Sequence, residues 1–462
     1  MPLLVKGGRV VTATDDYAAD VYCAGETITR IEPSIDPQSL PPGTEVIEAA
    51  GKYVMPGFID PHVHIYLPFM GTFAADDYDS ASRAALAGGT TTLIEMICPG
   101  PTDEPYDAFE LWRDKAKPLA ALDYTFHMSV VRFDARVHDQ FRKIVAAGVA
   151  SFKVFLAYKG ALNLSDEELF AAMKLARELG VIVTAHCENA DAIDALQKAL
   201  LGAGKTGPEW HGPSRPPVVE ADGVHHLCTF AQLLGTHVYT VHTSCDEAVR
   251  AALAARYRGV NVWIESVIPH FVLDETYAER PGFEGAKYVM SPPLRAKSNH
   301  AVLWNGVKSR AISTIGTDHA PFRFKDQKQM GREAFTKIPN GIASLQERVD
   351  LVHSHGVCAE RISLRTMVDA CSTQAAQIFG LYPRKGTIQV GSDADLVVYD
   401  PAFRGTFSQA TSHSKVDYNA YEGWERVGRA SVVTVRGAVQ ARDGKFVGTI
   451  GRGRFLQREP TH

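Results

Sequence analysis

The stretch Val54-Met55-Pro56-Gly57-Phe58-Ile59-Asp60-Pro61-His62-Val63-His64 (residues 54–64) decides how the rest of the chain is read. It is a short apolar run that ends in two imidazoles. Side chains alternate faces along a β-strand, so His62 and His64 point one way while Val63 points into packing. Two histidines so spaced at the end of a buried strand form a chelating pair. Taken alone, the pair is as compatible with an ordinary core or surface position as with a metal.

Downstream of it, apolar runs alternate with helical stretches, a pattern that predicts parallel strands joined by crossover helices. The expected strands lie at 58–65, 90–97, 124–131, 151–157, 181–188, 238–243, 261–268 and 312–318. Eight such units close a TIM-like (β/α)8 barrel. The clearest helix start is Ser165-Asp166-Glu167-Glu168, a capping box in which Ser165 and Glu168 satisfy each other's backbone N–H groups. Upstream, residues 1–55 hold short β-type runs broken by Gly and Pro turns. The same texture returns after 384, with an Asp443-Gly444 turn between two strand-like runs. The expected architecture is α/β: a barrel over 56–383, and a β-sandwich domain built jointly from 1–55 and 384–462. Three long excursions, 202–220, 269–300 and 321–341, fall where loops shape a site.

A chain of 462 residues with 45% hydrophobic and 22% charged residues is a globular protein large enough for more than one core. Its net charge of −5 offers no electrostatic case for nucleic acid or an anionic membrane, so a small-molecule substrate is expected. Seven scattered cysteines without a Cys-x-x-Cys pair, and an N-terminus without a signal-like apolar core, lead to the expectation of a reducing, cytoplasmic location.

In a (β/α)8 barrel the chemistry sits at the C-terminal ends of the strands. There the first expected strand carries His62 and His64, the fifth His186, the sixth His242 and the eighth Asp318. Four histidines and an aspartate thus converge from four strands, which the chance reading of His62-Val63-His64 does not anticipate. Lys153, at the end of the fourth strand, is either a lysine that snorkels to the rim or a desolvated amine. A neutral amine adds carbon dioxide to form a carbamate, a bidentate anion able to bridge two metals about 3.5–4 Å apart.

With these residues assembled, the chain closely resembles the D-hydantoinase and dihydropyrimidinase group of the metal-dependent amidohydrolases. The motifs that carry the resemblance are residues 56–64, Ser151-Phe152-Lys153 with Tyr158, Ala185-His186-Cys187-Glu188-Asn189, Val241-His242, Ser291-Pro292-Pro293-Leu294-Arg295, Gly316-Thr317-Asp318-His319 and Pro339-Asn340-Gly341. The resemblance implies that His62, His64 and Asp318 hold one metal and His186 and His242 the other, bridged by N6-carboxylated Lys153 and a hydroxide. It implies zinc as the usual metal, with manganese or cobalt as alternates. The implied reaction is hydrolysis of a cyclic ureide to an N-carbamoyl amino acid, with Asp318 moving the proton and Tyr158 donating to the oxyanion. Ser291 and Asn340 match positions that read the ring's polar edges through their backbone, and Leu67, Phe155 and Leu162 match the wall that receives the ring substituent. A homotetramer is implied as well. His319, next to Asp318, is expected to support the site from outside rather than to bind metal.

Three neighbouring functions fit the sequence less well. Dihydroorotase relatives carry arginine where this chain has Tyr66, so the anchor for a substrate carboxylate is missing. Allantoinase relatives lack a tyrosine like Tyr158. Non-catalytic scaffold relatives have lost metal ligands, whereas all six positions are filled here. Ala161 and Leu162 stand where relatives often carry aromatic residues, which predicts a roomy substituent pocket.

Overall fold

A computed structural model describes residues 2–462. Eight parallel strands follow one another in sequence order around a barrel: β1 (Phe58–Val63), β2 (Thr90–Ile97), β3 (Asp123–Ser129), β4 (Ser151–Phe155), β5 (Ile182–His186), β6 (Val238–Thr240), β7 (Val262–Val267) and β8 (Thr314–Gly316). All but Trp263 are buried along their full lengths, as expected for strands covered on both faces. The seam between β8 and β1 is closed just past the strand ends, where Val63 pairs with His319 and the His64 N–H donates to the His319 carbonyl at 2.8 Å. Below the seam, Asp60 accepts from the Thr317 hydroxyl at 2.7 Å. The buried Arg348 guanidinium donates to the carbonyls of Ile59 (2.8 Å) and Ile315 (2.9 Å).

Two of these strands are shorter than their apolar runs. β6 stops at Thr240 and β8 at Gly316, because His242 and Asp318 take φ values of 39° and 50°, which no extended ladder accommodates. The helix Asp166–Leu179 starts at the expected capping box, with both reciprocal hydrogen bonds in place, and ends at Gly180 in the left-handed conformation.

Both chain ends enter one nine-stranded sheet. Its halves meet where Tyr53–Pro56 pairs antiparallel with the start of the strand Leu396–Thr406. Alternation along these strands serves two cores at once. Val54, Leu396 and Val398 face the sheet's own apolar cluster, while Met55, Val397 and Tyr399 face the barrel's. Gly57 passes the chain from this sheet into β1. Its N–H bonds the Asp395 carbonyl at 2.8 Å, and a Cβ there would collide with Thr91. The expected turn is present, with Asp443 at φ 50° and Gly444 at φ 74°. The last residues return beneath the barrel, where Tyr124 exchanges backbone bonds with Arg454 and Leu456, and buried Arg458 donates to Thr125 and Ser151. Among the described residues no helix is long and apolar enough to cross a membrane.

Candidate active site

A cavity opens at the upper rim of the barrel. The residues expected to bind metal or substrate all line it: His62, His64, Leu67, Lys153, Phe155, Tyr158, Leu162, His186, His242, Ser291, Asp318 and Asn340. Phe69, Cys98 and Ala320 complete the wall and were not anticipated. Tyr66 does not line it. Its ring packs instead on Phe73 (5.6 Å) and Trp112 (4.8 Å), so it neither replaces a carboxylate anchor nor touches the site.

His62 and His64 leave the end of β1 on one face, as the alternation requires, and the Nε2 atom of each lies 3.1 Å from Asp318 Oδ1. Behind them, Glu265 on β7 accepts from His62 Nδ1 at 2.9 Å, and the same carboxylate oxygen accepts the His242 N–H at 3.1 Å. Burial disfavours a charge on His62, but Glu265 and Asp318 outweigh it and raise the imidazole to about 9. His64 is pulled down to about 4 because burial there is only partly countered by Asp318. Burial would also raise Asp318, yet His62 and His64 hold its carboxyl well below the usual range.

On the opposite side, His186 Nε2 lies 2.6 Å from Glu188, and Arg215 donates to the same carboxylate oxygen at 2.5 Å. Burial opposes the Glu188 charge, but Arg215 and His186 hold its carboxyl down at about 2. The His186 and His242 rings are 4.5 Å apart at their centroids, and burial lowers both imidazoles. Lys153 rises from β4 into the same cavity, almost fully buried. Burial depresses its amine to about 8, against the pull of Asp318 and Glu265.

Tyr158 caps the cavity from the loop after β4. Its backbone sits at φ 64°, and its ring meets Phe69 edge-on at 5.5 Å, with the Arg215 guanidinium 5.4 Å from its centroid. Burial pushes the phenol up to about 12, so it is a proton donor at neutral pH. Tyr158, His242 and Asp318 all occupy the left-handed region. That conformation costs a non-glycine residue about 1–3 kcal/mol and persists only where surrounding structure enforces it. From the long loops, Asn340 donates through Nδ2 to Ser291 Oγ at 2.9 Å. His319 turns away from the cavity. It donates through Nε2 to Asp76 at 2.9 Å while Nδ1 accepts from Ser344 and Leu345.

The supports that sequence reasoning passed over are Glu265, Arg215 and Glu95, the last accepting the N–H groups of Ile65 and Tyr66 just beyond His64, while Glu188 stood in a quoted motif without a role. A signal existed for two of them, since Glu95 and Glu265 are lone carboxylates inside otherwise uncharged buried strands.

With this geometry in view, the comparisons with known proteins are direct. The sequence profile of the Amidohydrolase family matches residues 53–439. The chain belongs to the amidohydrolase family.

This amidohydrolase is 43% identical over 459 residues to a D-hydantoinase of Geobacillus stearothermophilus, covering 99% of this chain and 97% of that one. It is 36% identical to a dihydropyrimidinase of Rattus norvegicus over 462 residues, 99% of this chain and 89% of that one. Among solved structures, a D-hydantoinase (dihydropyrimidinase) from a Thermus species superposes with a TM-score of 0.97 at 57% identity, over 99% of each chain. Family membership implies a binuclear site for divalent metals, and the residues present fit one. The ligand atoms of His62, His64 and Asp318 lie within 4.8 Å of one another. His242 Nδ1 and His64 Nδ1 are buried without a hydrogen-bond partner among the described residues. Imidazole and carboxylate donors of this kind suit zinc and its first-row neighbours.

Proposed function

We propose that this amidohydrolase opens the ring of cyclic ureides, hydantoins and dihydropyrimidines, by hydrolysis of the cyclic amide to N-carbamoyl amino acids. The observation that carries the reading is the convergence in one cavity of six metal-competent residues, the Tyr158 phenol and the Ser291–Asn340 pair.

His62, His64 and Asp318 would hold one ion and His186 and His242 the other, with Lys153 between them. Zinc is the proposed metal, manganese or cobalt the alternates. Two such ions supply a hydroxide at neutral pH and polarise the carbonyl under attack. Lys153 serves as its carbamate. An amine depressed to about 8 is partly neutral at physiological pH; the neutral amine adds carbon dioxide with loss of one proton, so that with the proton already shed by the ammonium a buried cation becomes an anion by releasing two protons in all.

Asp318 takes the proton of the attacking hydroxide and passes it to the departing ring nitrogen, base and then acid in one cycle. Its strained backbone and its two imidazole neighbours at 3.1 Å hold the carboxylate at one place for both transfers. Tyr158 donates its phenol proton in a hydrogen bond to the oxyanion, a role that a value near 12 preserves across the working range. Backbone groups at Ser291 and Asn340 read the imide and ureide edges. Leu67, Phe155 and Leu162 form the apolar wall for the ring substituent.

Resemblance to the hydantoinase group further supports a homotetramer, and seven free cysteines, six of them buried, support a cytoplasmic location. The test is metal analysis of the purified enzyme together with a panel of cyclic ureides followed by ring opening. About two metal ions per chain with turnover of hydantoins or dihydropyrimidines is the expected result. A metal-replete enzyme inert toward every cyclic ureide would overturn the reading.

A further inference from the structure

The loop that runs from 321 to 341 contributes Asn340 to the cavity, but its middle holds a residue the chemistry above does not use. Lys328 is fully buried, and its ammonium donates to two backbone carbonyls, Val289 at 3.0 Å and Gly341 at 2.8 Å. These belong to the two segments that present Ser291 and Asn340. The segments also touch directly, through Gly341 N–H to Val289 O at 2.9 Å and through the Asn340–Ser291 bond. The Val289 carbonyl is therefore not an orphan that needed a lysine to satisfy it. A hydrocarbon side chain of the same length would fill the space without desolvating a charge.

The neighbouring residue extends the brace. Gln327 donates through Nε2 to Thr72 Oγ1 at 2.8 Å and to the Phe73 carbonyl at 2.6 Å, gripping the hairpin Pro68–Phe69/Thr72–Phe73 that brings Phe69 into the cavity. One turn of chain thus ties down both the polar edge of the cavity and part of its apolar wall.

We infer that Lys328 is a positioning residue for substrate recognition: by clamping Val289 to Gly341 it fixes the spacing between the backbone groups at Ser291 and at Asn340 that read opposite edges of the ring. The inference rests on the cyclic-ureide reading. No carboxylate is among the groups that influence the lysine, and burial alone pushes its amine down to about 7, so a polar head is placed there at a cost that packing does not require. Since Lys328 touches neither substrate nor the metal-competent residues, its removal should loosen recognition and leave the chemical step intact.

The experiment compares wild type with Lys328→Met on two six-membered rings. Dihydrouracil offers both the imide and the ureide edge; glutarimide keeps the imide and replaces the ureide nitrogen by a methylene. Turnover of dihydrouracil by the wild type comes first and tests the functional reading separately. For the variant, the KM for dihydrouracil is expected to rise about tenfold with kcat within about threefold. Its preference for dihydrouracil over glutarimide should shrink about fivefold, with metal content and circular dichroism unchanged. An unchanged KM and preference would overturn the inference, as would a fall confined to kcat with loss of metal. Should Lys328→Met fail to fold, Lys328→Arg, which keeps the charge but displaces the two carbonyls, is read by the same split. Failure of both to fold would make Lys328 a folding residue and overturn the inference as well.

Discussion

Glu265 Oε2 accepts a hydrogen bond from His62 Nδ1 at 2.9 Å across 203 positions of sequence, and through it β7 sets the tautomer and angle of a histidine on β1. With Nδ1 committed, Nε2 is the nitrogen left to face Asp318 and a metal. Carboxylates in this position orient the imidazole and raise its basicity, and their loss typically costs 10–100-fold in metal affinity. Glu265→Gln keeps the shape and removes the charge. It should weaken metal binding by about tenfold or more, measured by competition with a chelator at fixed pH. An unchanged affinity would mean that the pair is only structural.

The same pair predicts a pH dependence. In the metal-free protein Glu265 and Asp318 outweigh burial and raise His62 from its ordinary 6.5 to about 9. Because the folded value lies above the unfolded one, this group's contribution to stability is fully present below about pH 6.5. It is lost as the pH climbs through about 9. A metal requires the neutral ring, so binding at pH 7 must expel that proton, whereas at pH 9.5 most of it has already left. Calorimetry in buffers of different ionisation enthalpy should show more protons released per metal at pH 7 than at pH 9.5. Equal release at both would contradict the assignment.

Tyr158→Phe removes one hydroxyl from a ring held by Phe69 and Arg215. Packing survives, so binding should change by no more than a few-fold. If the phenol serves the oxyanion, kcat should drop by roughly 10²–10³, the usual consequence of losing one such donor. Steady-state kinetics on a single hydantoin decides it, and a large KM effect with kcat retained would assign the residue to substrate binding instead.

The barrel was legible because its strands are short apolar runs, several of which change abruptly to His or Asp at their ends, as in Thr184-Ala185-His186 or Gly316-Thr317-Asp318. Burial on both faces of a parallel strand produces that run, and the placement of chemistry at strand ends explains its termination. What stayed hidden was long-range pairing. Nothing local links Glu265 to His62, or Arg215 to Glu188 and Tyr158, because those contacts exist only once the strands close. The left-handed backbone at His242 and Asp318 was invisible for the same reason, since tertiary contacts enforce it against local preference. The wall residues Phe69 and Ala320 carry no chemical signature that separates them from other apolar loop positions.

Lys153 yields a prediction with two readouts. Lys153→Ala should lose both bound metal and ring-opening activity, since the residue lines the cavity with both imidazole groups and its carbamate is the proposed bridge. Full activity with unchanged metal content would sink the assignment. For the wild type, carboxylation draws on dissolved carbon dioxide, so metal-stripped enzyme reconstituted in carbon-dioxide-depleted buffer should regain less activity, and added bicarbonate should restore it. Recovery indifferent to bicarbonate would exclude the carbamate.

The last prediction concerns substrate choice. Leu67, Phe155, Phe69, Ala320, Phe322 and Leu162 form one apolar cluster beside the cavity, and Leu162 stands half-exposed at its rim next to the exposed Ala161. A leucine beside an alanine leaves room there that paired aromatic rings would fill, so a bulky apolar substituent on the ring should be accepted. Wild type is expected to favour an aryl-substituted hydantoin over dihydrouracil in kcat/KM. Leu162→Phe should cut that ratio by about tenfold, in line with the 1–3 kcal/mol that small changes of volume are worth in an apolar pocket. Dihydrouracil, which has no substituent to clash, should be turned over almost as before. A wild-type preference for dihydrouracil, or a Leu162→Phe variant that slows both substrates equally, would show that this rim does not set the specificity.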